Sequence, residues 1–454
     1  GDCPPPITSF EELTVLPEFV LRNLREHGMN KPMPIQAQAL PLVLAGRDVV
    51  GLAQTGSGKT LAFLLPVPVH VSSQQWAGQR AALCQPKRRG AEDPRALVLA
   101  PTRELAVQIA EEAEKILSSS SWRDYGIRTA CLYGGGDKRT QQDALRWGVH
   151  IVVATPGRLL DFVNSDVVRL DLVSYFVLDE ADRMLDLGFQ DDVAAIASRV
   201  LPDRQVLFFS ATWSAEVQQL AQGFCRSGSK PVRISYGQGQ DSAGAEQDAA
   251  KHRAREEIAQ QVIVVDCDGE DHWDRQGEQK RVILEDHLQT VLEQSPDNKV
   301  LVFVSTKQFA DDVSTRLWKN GFSADSMHGG RSQSCRLWVL DQFRKGELRL
   351  LVCTDVLGRG IDIPSVSHVV IYEMGEVQDY IHRIGRTARG RDGRGHALVF
   401  FEYWEGAPTI AAELIEVLTA SKQPVPEDLR RIADEVACGQ RNIRKPAWSS
   451  RSKR

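Results

Sequence analysis

The chain has 454 residues, of which 42% are apolar and 25% are charged, and its 55 Lys and Arg against 60 Asp and Glu give a formal net charge of −5. These proportions are ordinary for soluble globular proteins and exclude collagen, a coiled coil and wholesale disorder. No apolar run approaches the ~20 residues that cross a bilayer, and no signal-peptide pattern opens the chain, so we expect no membrane association. The acidic balance by itself disfavours a polyanionic ligand such as nucleic acid.

The eight cysteines are too sparse for a disulfide scaffold and never form a C-x-x-C pair. This pattern excludes the usual zinc framework and favours reduced thiols. We therefore expect an intracellular protein, of the nucleus or the cytoplasm. The chain begins at Gly1 rather than Met, as a trimmed segment of a longer protein would.

Short apolar runs alternate with helical patterns along most of the chain, which is typical of parallel α/β units. Residues 103–117, for example, place Leu105, Ile109 and Leu117 near helical spacing. Small or polar residues follow many of the apolar runs, and open parallel sheets bind ligands outside the carboxyl ends of their strands. The predicted strands are residues 48–53, 96–100, 151–154, 175–178 and 206–209 in the first half, and 258–265, 300–304, 348–353, 366–372 and 396–401 in the second.

Polar segments divide the chain into two lobes. Residues 72–94 include a basic stretch and predict a surface loop. Residues 237–280 are polar and charged apart from 258–265, and we interpret them as a linker, the first strand of a second domain and an insertion at 266–280. The basic residues 441–454 predict a flexible tail. We assign residues 1–45 to an N-terminal flank, 46–235 to a first domain, 236–258 to a linker, 259–420 to a second domain and 421–454 to a C-terminal extension.

A glycine-rich segment, residues 53–60, lies between a predicted strand and a predicted helix. Gly56 and Gly58 let the backbone curl so that successive N–H groups point at phosphate oxygens. The Lys59 ammonium can neutralise phosphate charge, and the Thr60 hydroxyl can reach Mg²⁺. The alternative is a Gly/Ser-rich turn followed by a chance Lys-Thr pair. The strand–loop–helix context favours a nucleotide-binding loop.

Three carboxylates, Asp179, Glu180 and Asp182, follow the predicted strand 175–178. An acidic residue at a strand end that faces a phosphate loop can hold Mg²⁺, and a second can orient or deprotonate an attacking water. The alternative is the acidic first turn of a helix, where carboxylates are favoured. The phosphate loop upstream favours the catalytic interpretation.

Four arginines lie within residues 383–391. They could form a solvated surface, a nucleic-acid patch or an arginine finger directed at a transferring γ-phosphate. The spacing does not separate these three possibilities.

Together, these motifs resemble those of the DEAD-box family of ATP-dependent RNA helicases, over roughly residues 10–401. The resemblance implies an α/β fold of two tandem RecA-like domains, each a mostly parallel sheet flanked by helices, with ATP and RNA bound at the cleft between the domains. Further matching segments follow in family order at residues 101–106, 135–136, 155–158, 210–212, 302–304, 328–330, 354–355, 359–362 and 382–389.

The resemblance also implies roles in nucleotide chemistry. Phe10 would stack on adenine, Gln36 would contact its edge and Asp362 would hold the ribose. Met33 stands where the family usually has Thr, which weakens a local hydrogen bond to the phosphate loop. The residues implied to bind nucleotide are Phe10, Gln36, Gln54, Thr55, Gly56, Ser57, Gly58, Lys59, Thr60 and Asp362, with Mg²⁺ at Thr60 and Asp179. The residues implied in catalysis are Lys59, Asp179, Glu180, Arg386 and Arg389, which makes two of the arginines fingers. The residues implied to couple the lobes are Asp182, Ser210, Thr212 and His382.

The implied RNA contacts touch phosphates and 2′-hydroxyls and therefore recognise no base sequence. They are Thr102, Arg103, Gly135, Gly136, Thr155 and Arg158 in the first lobe, and Gly330, Gln333, Arg336 and Thr354 in the second. Such a local row of contacts is compatible with a net charge of −5, because net charge describes only the average surface.

We therefore expect an ATP-dependent RNA helicase that hydrolyses ATP to ADP and phosphate in an RNA-stimulated manner, and that unwinds short duplexes or remodels ribonucleoproteins. One alternative is an RNA clamp that stays closed on ATP and nucleates a complex. Another is a DNA-translocating helicase, which the RNA-type motifs disfavour. The expected partners are RNA, bound without sequence preference, and protein regulators.

Overall fold

The chain folds into two compact units, residues 1–243 and 244–454. The boundary between them falls within the predicted linker. The structure is a computed structural model that describes residues 3–53, 56–75, 94–118, 127–146, 148–225, 230–236, 257–265, 272–355, 366–388 and 395–441.

The first unit is built on a parallel sheet in which the described residues form seven strands, in the order β3-β4-β2-β5-β6-β1-β7. The strands are β1 (Val49–Ala53), β2 (Ala96–Leu99), β3 (Thr129–Leu132), β4 (Ile151–Ala154), β5 (Tyr175–Leu178), β6 (Gln205–Ser210) and β7 (Val232–Tyr236). The helices are α1 (Glu18–Glu26), α2 (Pro34–Leu44), α3 (Lys59–Leu64), α4 (Val67–Gln75), α5 (Arg103–Leu117), α6 (Lys138–Leu145), α7 (Pro156–Asn164), α8 (Ala181–Asp186), α9 (Gln190–Ala197) and α10 (Ala215–Phe224), after a 3-10 turn at Phe10–Glu12.

Helices cover both faces of this sheet. Alternate residues of β1 enter two apolar layers: Val49 and Ala53 pack with α1–α5, and Val50 and Leu52 pack with α6–α10. Because both faces are buried, the central strands are continuously apolar, as parallel strands usually are. The predicted flank is part of the first layer, since α1 and α2 pack into it.

In the second unit, the described residues form six parallel strands in the order β10-β11-β9-β12-β13-β8. Helices α11 and α12 pack on one face, and α13–α16 pack on the other. The strands are β8 (Ile258–Val264), β9 (Val300–Phe303), β10 (Ala324–Met327), β11 (Leu350–Cys353), β12 (His368–Ile371) and β13 (Gly395–Phe401). The helices are α11 (His272–Gln294), α12 (Lys307–Lys319), α13 (Gln333–Lys345), α14 (Val377–Ile384), α15 (Ile410–Ala420) and α16 (Glu427–Ala437). Two parallel-sheet α/β domains confirm the predicted fold class.

The predicted insertion at 266–280 is wrong for residues 272–280, which form the first part of α11. Lys280 is only 4% exposed, because its ammonium pairs with Glu402 at 3.0 Å and lies 4.4 Å from the centroid of the Tyr372 ring. Gln276 donates from Nε2 to the carbonyl of Val265 at 3.3 Å. These polar side chains are buried and paired with partners inside the fold. Their polar sequence by itself predicted a solvent-exposed insertion.

Two further loop predictions need correction at their ends. Residues 72–75 belong to α4 rather than to a surface loop, and residues 76–93 lie outside the described part of the chain. Arg441 does not begin a flexible tail, because its Nε contacts Glu435 at 2.5 Å and its guanidinium lies 5.0 Å from the Tyr403 ring centroid. Residues 442–454 lie outside the described part. Among the described helices, none has the length and apolar character needed to cross a membrane.

Candidate active site

The phosphate loop joins β1 to α3 at the carboxyl end of the first sheet. Gly58 precedes α3 with φ of +88°, a left-handed conformation that favours glycine. Lys59 is buried, and its ammonium donates to the carbonyl of Ala53 at 2.8 Å. The cation is therefore held across the loop, close to the strand end. Gln54 and Thr55 lie outside the described residues, and Thr60 is half-buried in α3.

The predicted adenine contact, Gln36, is tied to this loop. Its Nε2 donates to the carbonyl of Gly58 at 2.8 Å, and its Oε1 accepts from the backbone N–H of Met33 at 2.8 Å. A Cβ on Gly58 would lie 2.6 Å from both Gln36 Nε2 and Met33 Sδ, so this close approach requires glycine. Phe10 is buried in the core of the first unit. Its stacking on adenine stays a prediction.

The carboxylates follow β5, which lies between β2 and β6. Asp179 donates its backbone N–H to the carbonyl of Leu99 at 3.0 Å, and its side chain is buried. Burial raises the pKa of this carboxyl, and the positive charge of Lys59 opposes the increase. Lys59, which the sequence analysis assigned to phosphate, and Asp179, which it assigned to the metal, therefore interact electrostatically.

Glu180 has an unusual backbone conformation. It is buried, its φ is +53°, and its N–H donates to Asp179 Oδ1 at 3.1 Å. Non-glycine residues with positive φ are uncommon and cluster at functional sites. The strand-to-helix turn thus holds the backbone of the proposed water-activating residue in a strained conformation directly after Asp179.

Three of the four predicted coupling residues lie in the first unit. Thr212 donates from its hydroxyl to Asp182 Oδ2 at 3.1 Å, and Ser210 is fully buried at the end of β6. His382 is buried in α14 of the second unit. The proposed link to His382 stays a prediction.

The predicted RNA residues of the first unit follow β2, β3 and β4. Gly135 has φ of +80°, and a Cβ there would lie 2.3 Å from Arg103 Nη1, so glycine lets the guanidinium rest on the turn. Thr102 accepts the Leu105 N–H at 3.3 Å and begins α5. Thr155 is buried where α7 begins.

A further polar residue, Gln141, contacts one member of this group, Arg158, and sequence analysis missed it. Its Oε1 accepts from the N–H of Tyr133 at 3.1 Å and from Arg158 Nη1 at 3.2 Å, and its Nε2 donates to the carbonyl of Tyr133 at 3.0 Å. A Cβ on Gly136 would lie 2.8 Å from Gln141 Nε2. A glutamine within an amphipathic helix carries no sequence signal that separates it from a surface residue.

The predicted RNA residues of the second unit follow β10 and β11. Gly330 donates its N–H to His328 Nδ1 at 3.2 Å. Gln333 and Arg336 contact each other in the first turn of α13, and the guanidinium of Arg336 is largely buried. Thr354 donates its N–H to the carbonyl of Met327 at 3.3 Å, which joins the two strand ends.

The arginines of residues 382–389 differ in environment. Arg383 pairs with both oxygens of Asp355, at 2.8 and 3.1 Å, and donates to the carbonyl of Glu373 at 3.0 Å. Arg386 is fully buried and donates from Nε to the carbonyl of His382 at 3.2 Å. Arg389 and Asp362 lie outside the described residues. The finger roles of Arg386 and Arg389 stay predictions.

Comparison with known proteins shows the family of this chain. A DEAD/DEAH box helicase family model matches residues 33–220, and a helicase conserved C-terminal domain model matches residues 279–391. The chain is 42% identical to the ATP-dependent RNA helicase DBP2 of Candida albicans, over 95% of this chain and 69% of the relative. The chain belongs to the DEAD-box family of ATP-dependent RNA helicases. Identity to the Arabidopsis thaliana DEAD-box ATP-dependent RNA helicase 20 is 40%, over 96% of this chain and 78% of that one.

Solved DEAD-box structures extend the comparison. The S. cerevisiae Dbp5 structure bound to RNA and ADP BeF3 aligns with a TM-score of 0.70 at 27% identity, covering 95% of this chain and 99% of that one. Mss116p bound to ssRNA and AMP-PNP aligns with a TM-score of 0.72 at 28% identity, covering 96% and 83%. The likeness spans both units of this DEAD-box chain.

Proposed function

We propose that this DEAD-box protein couples ATP hydrolysis, stimulated by RNA, to local unwinding of short RNA duplexes or remodelling of ribonucleoproteins. The observation that carries the proposal is the placement of Lys59, Asp179 and Glu180 at one edge of the first sheet. A buried cation beside a buried carboxyl pair is suited to a phosphate ester and an attacking water.

In this proposal each side chain has a distinct task. Lys59 stabilises the negative charge of the β- and γ-phosphates. The strained Glu180 orients the hydrolytic water and accepts its proton, because a carboxylate held rigidly near the reacting atom needs no reorganisation. Gln36 contacts adenine while its Nε2 stays on the phosphate loop, so base recognition and phosphate binding share one set of hydrogen bonds.

The residues also fit Mg²⁺. Among the described residues, no three His, Cys, Asp or Glu side chains converge as a metal site. Mg²⁺ in nucleotide sites needs only one or two protein ligands, since phosphates and waters supply the rest. Burial raises the pKa of Asp179, and a cation beside this carboxyl would favour its charged form. We propose that Thr60 and Asp179 hold the ion, which would neutralise charge on the transferring phosphate.

The RNA surface of the first unit supports backbone recognition. Arg103 and Arg158 flank the Gly135–Gly136 turn, where guanidinium groups can pair with phosphate oxygens in a bidentate manner. Contacts of this kind position RNA without discriminating its sequence. We expect the affinity for RNA to fall as salt rises.

Regulation and location are part of the proposal. One structural neighbour is S. cerevisiae Dbp5 bound to Gle1 and IP6, at 27% identity and a TM-score of 0.63. That likeness supports a protein regulator for this chain as well. The sparse cysteines support an intracellular setting, in the nucleus or the cytoplasm.

Single-turnover ATP hydrolysis with and without single-stranded RNA, run beside a short-duplex unwinding assay, tests the proposal. RNA should accelerate hydrolysis, and Glu180→Gln should keep ATP binding while it slows turnover about 100-fold or more. Glu26→Gln, at an exposed position of the same unit, is the control and should leave turnover unchanged. ATP hydrolysis that RNA does not accelerate would refute the proposed RNA-dependent ATPase. Slow turnover with persistent RNA binding would favour the alternative function, an RNA clamp.

A further inference from the structure

The turn that carries Gly135 and Gly136 is supported by a contact between two helices, α6 and α7. Lys138 on α6 pairs with Asp161 on α7 at 2.9 Å. The Lys138 ammonium and the Arg158 guanidinium lie 5.5 and 5.7 Å from the centroid of the Phe162 ring. These contacts join the two helices beside the Gly135–Gly136 turn.

Gln141 is the centre of this contact. It is 6% exposed, and its amide makes one bond to Arg158 and two to the backbone of Tyr133. One side chain therefore connects the end of β3, which leads into the turn, with the guanidinium on α7. A buried amide with its acceptor and donor both engaged is costly to replace.

Gln141 contacts two parts of the protein that have wide conformational freedom of their own, the glycine turn and the Arg158 side chain. Glycines have wide backbone freedom, so a turn of three glycines, residues 134–136, needs an external constraint to keep one conformation. The Arg158 guanidinium binds phosphate well only when its planar fork is oriented. The Arg158 side chain is 12% exposed, so part of it remains accessible to a phosphate. The charges of Arg103 and Arg158 both reach Tyr133, where they oppose the increase in the pKa of its hydroxyl that burial causes.

We propose that Gln141 is a positioning residue for RNA binding, which fixes the Gly135–Gly136 turn and the Arg158 guanidinium in the arrangement that receives an RNA phosphate. The inference rests on the proposed RNA-dependent function. Gln141 acts through Arg158 and the turn, and its hydrogen bonds within the described part of the chain go to Tyr133 and Arg158 rather than to the phosphate loop or the carboxylates. Its loss should weaken RNA binding and leave ATP binding intact.

The test measures binding of a fluorescent single-stranded RNA to the full chain with AMP-PNP, and of a fluorescent ATP analogue without RNA. Gln141→Ala should weaken RNA binding about tenfold, the scale of one charge-assisted hydrogen bond, with nucleotide affinity unchanged. Gln142→Ala is the matched control, since Gln142 is the next residue of α6 and is more exposed. An equal effect of both variants, or none from Gln141→Ala, would overturn the proposal.

A double-mutant cycle with Arg158→Ala separates positioning from a general loss of structure. If Gln141 acts through Arg158, Gln141→Ala should weaken RNA binding by less than threefold once Arg158 is absent. Fully additive losses would overturn the proposal. If the unmodified protein binds no RNA with AMP-PNP, the proposed function and this inference fail together; if it binds RNA but the variants do not differ, only this inference fails.

Gln141→Glu keeps the test valid if the alanine variant does not fold. Glu retains acceptors for Arg158 and the Tyr133 N–H, and it loses only the donor to the Tyr133 carbonyl. The negative charge that this substitution adds offsets the positive charge of Arg158, so RNA binding should weaken at low salt. The slope of log affinity against log salt should decrease in size by about one. RNA affinity equal to that of the unmodified protein at every salt concentration would overturn the proposal.

Discussion

Met33 allows a direct test of how the phosphate loop is stabilised. Met33 is the residue before α2, where Ser, Thr, Asp or Asn usually accepts a hydrogen bond from the first turn. One half of a capping box is a strong hydrogen bond, because Gln36 at the third helical position accepts the Met33 N–H at 2.8 Å. In the other half the Met33 thioether faces the Gln36 backbone N–H, and sulfur is a weak acceptor. A hydroxyl at position 33 would be a stronger acceptor for that N–H. We therefore expect Met33→Ser to stabilise the start of α2 relative to Met33→Ala.

The comparison of Ser with Ala removes the contribution of the methionine side chain, which is 41% exposed and contacts Gly58 through its sulfur. Both substitutions lose that contact, and they differ mainly in the hydroxyl. A cap of this kind contributes about 1 kcal/mol. In a unit of this size, 1 kcal/mol shifts the thermal midpoint by about 2–4 °C.

The assay is thermal unfolding of the full chain followed by circular dichroism, with titration of a fluorescent ATP analogue at a temperature below the transition. Met33→Ser should melt about 2–4 °C above Met33→Ala and bind nucleotide more tightly, because Gln36 also holds the carbonyl of Gly58. Equal melting temperatures would show that the missing hydroxyl does not limit α2. Higher stability without tighter nucleotide binding would show that α2 and the phosphate loop are energetically independent.

Two further perturbations test the glycine turn and the buried histidines. Gly135→Ala should weaken RNA binding about tenfold with unchanged nucleotide affinity, because the added methyl group would displace Arg103. Gly188→Ala is the control: Gly188 has a similar φ of +74° and open space around it, so this substitution should cost only backbone strain. Burial lowers the pKa of His70 and of His150 to about 4, with smaller contributions from neighbouring arginines. Their unfolded forms take up protons near pH 6.5, so stability should be full above pH 6.5 and fall as the pH drops towards 4. His150→Asn should reduce the loss of thermal midpoint between pH 7 and pH 5, and an unchanged pH dependence would contradict the assignment.

The sequence predicts the central strands and the edge strand β8, and it misses the other edge strands of the described residues, for a physical reason. Strands β1, β2, β4, β5 and β6 are buried on both faces and appear as continuous apolar runs. The unpredicted strands β3, β7 and β10 lie at sheet edges, and each has partly or fully exposed positions. A half-exposed strand of four or five residues has no apolar run to detect. Edge position is a property of the assembled sheet.

The site shows the same division. Glycine-rich and acidic motifs have local signatures, so the phosphate loop and residues 179–182 could be predicted from their spacing. Gln141 and Lys280 have none, because each is a polar helical residue whose role depends on a partner far away in sequence. The buried pairing of Arg383 with Asp355 depends likewise on the fold. Spacing finds residues that act next to one another in the chain, and tertiary contacts are needed for the others.

The strand order of the first sheet explains how RNA and ATP can affect each other within one domain. The predicted RNA residues follow β3, β4 and β2. The predicted ATP residues follow β5 and β1, and the predicted coupling residues Ser210 and Thr212 lie at the end of β6, so the RNA residues and the ATP-site residues occupy adjacent halves of one sheet edge. They meet where β2 pairs with β5, and there Asp179 donates its N–H to the carbonyl of Leu99. Thr102 and Arg103 follow that strand by three and four residues. A shift of the β2 end on RNA binding would therefore act directly on the backbone that positions Asp179 and Glu180, because parallel neighbours share their hydrogen bonds.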